Sequence, residues 1–226
     1  MDRNAPPLNK LPLIVWVITL PLLAMEAVLS LADRGVVGGA TGVGWRIDAF
    51  QRFAFSPDLM RQMFAVGEYP LDGLYRLISY PLVHGNFTHA LFAVVILLAL
   101  GKMVGEIFHW AAVLAVVLGA AAVGALAYTA VPGVQAPLYG AYPPAYGLIG
   151  AFTFLIWVRL VAKGANQLRA FTLIGTMLAI QLLFGVLFGG GWDWVADLAG
   201  FATGFLLSFI VSPGGLDRVR DRIRQR

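Results

Sequence analysis

Polar and apolar residues in this chain segregate into long blocks; they do not show the short alternation of a soluble domain. Six apolar stretches, roughly 11–32, 90–108, 110–131, 145–163, 171–188 and 193–212, carry few charges. Each is close to the ~20 residues a helix needs to cross a ~30 Å hydrocarbon core. The pattern predicts an all-α, polytopic fold of six transmembrane helices. A cleaved leader is the alternative for the first stretch. That run is long, however, and the Met25-Glu26-Ala27 region offers no small-x-small cleavage site, so it reads as a span. Most connections are short, and only the loop after the first span, residues 33–89, is long. A structureless loop of that length is unusual. Within it Phe50, Phe53, Leu59, Met60, Met63, Phe64 and Val66 recur at mostly helical spacing among Arg52, Asp58, Arg61 and Gln62. This predicts one or two short amphipathic helices in the membrane interface, with a small soluble cap as the alternative.

Composition agrees with the pattern. Hydrophobic residues make up 59% of the 226 and charged residues 12%, about half the share of a soluble domain. With no cysteine, disulfide frameworks, cysteine nucleophiles, thiolate metal sites and iron–sulfur clusters are excluded. A net charge of +4 could suggest nucleic acid, but the basic residues sit at the ends of apolar runs. That distribution belongs to membrane topology and not to a phosphate-binding face. With the N-terminus (1–10) inside, inner segments hold eleven Lys and Arg and the outer ones five, namely Arg34, Arg46, Arg52, Arg61 and Arg76. Both termini are therefore expected in the cytoplasm, which an even span count also requires. The basic tail, 213–226, reads either as a topology signal or as a patch for anionic lipid. No repeat interrupts the chain, and residues 1–226 read as one membrane domain.

Ionisable groups at membrane depth need partners. Lys102 and Glu106, one turn apart, can pair with each other, and Glu26 lies within reach of the outer interface. Asp197 lies deeper, a few residues into the sixth span, and must find an internal partner. His84, His89 and His109 lack the spacing of a metal site, so neither metal nor cofactor is expected. Small residues crowd the third span, from Gly119 to Ala127, and glycine pairs mark the fourth span, at Gly147 and Gly150, and the sixth, where Gly200 and Gly204 form a small-x-x-x-small pair. All are signals of close helix packing.

Several stretches together resemble the rhomboid family of intramembrane serine proteases. The segment Leu74-Tyr75-Arg76 through His84-Gly85-Asn86-Phe87-Thr88-His89 is similar to the family's Trp-Arg loop running into its second span. Tyr146-Gly147-Leu148-Ile149-Gly150 is similar to the segment after the catalytic serine, and Ala196-Asp197-Leu198-Ala199-Gly200 to Gly204 to the Ala-His-x-x-Gly-x-x-x-Gly of the last span. The resemblance implies a six-helix bundle in which a serine on the fourth span and a histidine on the sixth perform acyl transfer. Carried over position by position, the serine falls at Tyr142 and the histidine base at Asp197. The histidine of the second span is kept as His89, the asparagine four residues on is Ala93, and Tyr75 stands for the tryptophan beside Arg76. No serine lies between Ser79 and Ser208, so no shift of register restores a nucleophile. A phenol is a poor substitute for an activated serine, and Ala93 has no donor for an oxyanion.

The chain therefore reads as an inactive rhomboid homologue, catalytic residues none. It is expected to bind lipid and transmembrane client proteins, for stabilisation or delivery to quality control, in a bacterial inner membrane. A protease of unfamiliar chemistry, and a small transporter or lipid scramblase, are the alternatives. Two arrangements are open for the acid. The Tyr142 hydroxyl, joined by His89, could lock the fourth span to the sixth through Asp197, or Asp197 could face a water-filled pocket.

Overall fold

The computed structural model describes residues 10–188 and 190–215, so the tail from 216 onward lies outside the described residues. Among the described residues five helices are long and apolar enough to cross a membrane: α1 (Leu13–Asp33), α7 (Phe87–Gly105), α8 (Trp110–Thr129), α9 (Tyr142–Ala162) and α11 (Asp193–Val211). A further apolar helix, α10 (Thr172–Phe188), has 17 residues. No strand forms among the described residues, only one antiparallel bridge between Phe55 and Leu138.

Local chemistry sets the helix ends. The Asn86 side chain accepts the His89 N–H at 2.9 Å, so α7 starts three residues ahead of its apolar run. Pro143 and Pro144 lie in the first turn of α9, where a missing N–H costs nothing. The entry to that turn runs through Gly140 at φ +94°, a conformation that other residues rarely adopt.

Helix α9 is buried on every side from Pro143 to Ala151 and forms the axis of the bundle, packed by α7, α8 and α11. Its contact with α11 is backbone against backbone. A Cβ at Gly204 would run into the Gly147 backbone, one at Gly200 into Pro143, and one at Gly150 into Phe201. On α8, a Cβ at Gly124 would lie 2.9 Å from the Ala196 carbonyl oxygen. Close approach of this kind replaces the hydrophobic drive that lipid removes. The outward faces keep large apolar side chains exposed, among them Val17, Leu20, Leu91, Val95, Ile180 and Leu206.

The long loop is structured. It contains α2 (Gly39–Gly42), α3 (Trp45–Phe53), α4 (Pro57–Val66), α5 (Leu71–Leu74), α6 (Arg76–Ser79) and a 3-10 turn at Tyr80–Leu82. Of the one or two short helices expected around Phe50 to Val66, two form, α3 and α4. Ser56 caps α4, its side chain accepting the Leu59 N–H at 3.2 Å. Met60 and Met63 of α4 are buried, with Tyr128 and Ala125 of α8 in the same apolar cluster, while Phe64 and Val66 stay exposed. The Tyr80 hydroxyl, fully buried, donates to the Ala121 carbonyl of α8 at 3.0 Å.

Glu26, late in α1, finds its partner within the protein. It is 4% exposed and takes a two-pronged ion pair from Arg46 of α3, at 3.0 and 3.1 Å, plus a hydrogen bond from Ser30 at 2.6 Å. Arg46 also donates to Asp33 and to the His84 carbonyl, each at 2.7 Å. A loop cation twenty residues away in sequence thus neutralises the acid. Lys102 and Glu106 pair as expected, at 3.5 Å.

Candidate functional site

At the loop-bearing end of the bundle lies a cavity of about 680 Å³. Its walls come from the start of α7 (Gly85 to Phe92), the segment Pro137-Leu138-Tyr139, the first turn of α9, Gln181 of α10, and Asp193 and Asp197 of α11. Three of the positions singled out from sequence, His89, Tyr142 and Asp197, share this cavity. The fourth, Ala93, is fully buried in the apolar core and supplies no polar atom.

His89 is fixed from several sides. Its Nδ1 accepts the Gly85 N–H at 3.3 Å, and its ring stacks on Tyr142 with centroids 5.1 Å apart and planes 16° from parallel. His84 and Tyr139 meet it edge-on, at 5.3 and 5.9 Å. A Cβ on Gly140 would come within 2.8 Å of the His89 ring, so the turn that launches α9 is moulded to this histidine. His84 is completely buried, and its Nε2 accepts the Ala141 N–H at 3.2 Å. Burial, helped by the nearby His89, pushes its pKa from 6.5 down to about 4, so the ring stays neutral and keeps that acceptor free. Tyr75 and Arg76 brace the loop instead of lining the cavity. The Tyr75 hydroxyl donates to the Arg52 carbonyl, and Arg76 donates to the Ala54 carbonyl at 3.1 Å.

The expected lock does not form as drawn. Asp197, 3% exposed, accepts from Gln181 Nε2 at 2.8 Å, and the Gln181 carbonyl accepts the Tyr146 hydroxyl at 3.2 Å. The bond that ties α9, α10 and α11 together therefore runs Tyr146–Gln181–Asp197. Tyr142 is drawn aside by its stacking on His89. Gln181 was missed in the sequence reading. An amide in the middle of the apolar run 171–188 was the available signal, since it too needs a partner in lipid.

Removing the carboxyl and the amide in turn tests this arrangement. A double-mutant cycle on Asp197→Ala and Gln181→Leu should give a coupling of about 0.6–1.7 kcal/mol, the range of hydrogen bonds between membrane helices. Tyr142→Phe should move thermal stability by no more than about 0.5 kcal/mol, because its hydroxyl is not the tie. Thermal unfolding in detergent measures both.

The serines are engaged elsewhere. Ser30 donates to Glu26, Ser56 caps α4, Ser79 donates to the Phe53 carbonyl and Ser208 to the Gly204 carbonyl. None of these, nor Ser212, lines the cavity, where Thr88 carries the aliphatic hydroxyl. The cavity thus offers carboxyls, an amide, phenols and an imidazole, set in place by the packing of α9 on α11. No curated protein matches the sequence. A model of the Rhomboid domain does match, over residues 71–214, a range that runs from the braced loop segment through the cavity to the end of α11. On that match, and with its apolar helices long enough to span a bilayer, the chain belongs to the rhomboid family of multi-pass membrane proteins.

Proposed function

We propose that this protein is a pseudoprotease of the rhomboid family, which holds transmembrane segments of client proteins without cutting them. One observation carries the reading. Where the family's serine and histidine fall, this cavity has a tyrosine stacked on His89 and an aspartate tied to Gln181. A phenol with no base in hydrogen-bonding contact is not an activated nucleophile, and a carboxylate is too weak a base to make it one. A roomy cavity lined with polar groups among apolar helices still gives a client an alternative to lipid for its own polar or unwound segment.

In this reading α10 is the fifth of six spans and completes the count. Its 17 residues rise about 25 Å, at the short end of what a bilayer accepts. Both termini face the cytoplasm, the long loop faces outward, and a bacterial inner membrane is the host. Clients are stabilised there or passed to quality control.

The test has two arms. Purified protein in lipid should leave a transmembrane reporter uncut and form no adduct with a serine-directed phosphonate. A photocrosslinking side chain at Phe92, on the cavity wall, should capture membrane proteins. Reporter cleavage that disappears in Thr88→Ala or Tyr142→Phe would establish a protease instead, and lipid adducts alone from position 92 would remove the case for client binding.

A further inference from the structure

An acid at membrane depth with no counter-charge is costly, and in this chain such acids are otherwise matched. On α1, Glu26 and Asp33 share Arg46, and at the end of α7 Glu106 takes Lys102. The two acids of the cavity differ. Asp193 and Asp197 stand one turn apart on α11, both on the cavity wall, and neither has a lysine or arginine partner among the described residues. Among the described residues no lysine or arginine lines the cavity. Asp193 is exposed, with the Tyr128 phenol and the His89 ring as its polar neighbours, while Asp197 is 3% exposed and gives only one oxygen, Oδ2, to Gln181. Its other oxygen makes no hydrogen bond to a described residue. Asp197 lines the cavity, so this free oxygen is an acceptor open to a donor that enters there. The stacked Tyr142–His89 pair and Tyr139 also line the cavity, and an aromatic ring favours a cation over an anion.

We propose that the cavity recognises a basic side chain, the ammonium of a lysine or the guanidinium of an arginine, carried within the transmembrane segment of a client. This rests on the client-binding reading above and adds the chemistry that selects the client. The two carboxyls lie about 6 Å apart along the helix axis, which suits stepwise capture of a charge on a long flexible stem. Asp193 meets the cation at the mouth. Asp197 accepts it at depth through its open oxygen, and Gln181 holds the other oxygen in place. A client with such a residue gains because its charge leaves the hydrocarbon for a carboxyl, an exchange that a purely apolar segment does not make.

Single-span peptides, identical except for one residue near the outer end, give the test. That residue is lysine, arginine, norleucine or glutamate, and binding to the full-length protein in liposomes is read by energy transfer. Lysine and arginine peptides should bind at least tenfold tighter than norleucine, and glutamate weakest. Asp193→Asn and Asp197→Asn should each cut that preference, and together reduce it to the norleucine value. Asp193→Asn lies at the exposed mouth and tests the charge even where Asp197→Asn harms folding. Equal binding of the lysine and norleucine peptides would overturn the proposal and leave client binding standing. Failure of every peptide to bind would overturn both.

Discussion

Valine in place of Gly204 should abolish a stable bundle, not merely weaken it. The added carbons would occupy the space of the Gly147 backbone, and main chain cannot turn aside as a flexible side chain can. Relief requires α11 to move away from α9, which also opens the Gly200–Pro143 and Gly150–Phe201 contacts. Overpacking in a tight core costs typically 1–3 kcal/mol, and this case belongs at about 3 kcal/mol or more, because one change separates three backbone contacts. The measured result should be aggregation on size exclusion or a large fall in melting temperature. Gly175→Ala on α10, where a Cβ meets nothing within 4 Å, is the matched control and should be nearly neutral. A Gly204→Val protein as stable as the parent would mean that α9 and α11 are not packed backbone to backbone.

Arg46→Leu should be the most damaging change in the long loop. It leaves Glu26, 4% exposed, with Ser30 as its one side-chain partner among the described residues, and also frees the His84 carbonyl and Asp33. Breaking a buried pair from one side costs about 3–5 kcal/mol, mostly because a bare charge remains. Adding Glu26→Gln should recover a large part of the loss, since an amide is far cheaper to leave in that place. The comparison of the single and double variants by thermal unfolding in detergent is decisive. If Glu26→Gln gives no rescue, the loss came from the loop and not from the stranded carboxylate.

Much of this fold was legible because lipid imposes a simple rule on length and polarity. The apolar stretches match the helices to within about three residues, and the shifts have local causes. Asn86 caps α7 early, and the prolines 143 and 144 open α9 ahead of its apolar run. Gly147, Gly150, Gly200 and Gly204 were readable as packing positions, since spacing along a helix fixes which residues share a face. Partners across helices were harder to read. That Asp197 needs one follows from its depth, but whether Tyr142 or Gln181 supplies it depends on how α10 is rotated, which no spacing rule gives. Glu26 is the same problem in another place. Its partner stands on a loop helix, and nothing near it in sequence points there.

The central place of α9 has a consequence for biosynthesis. Its tightest neighbour, α11, is translated after it, with α10 between them. As α9 leaves the translocon it can join α7 and α8, but its glycine face stays bare until α11 arrives. During that interval the half-made protein presents a smooth groove to every other helix in the bilayer, and an insertase or a membrane chaperone that shields it would decide how many chains mature.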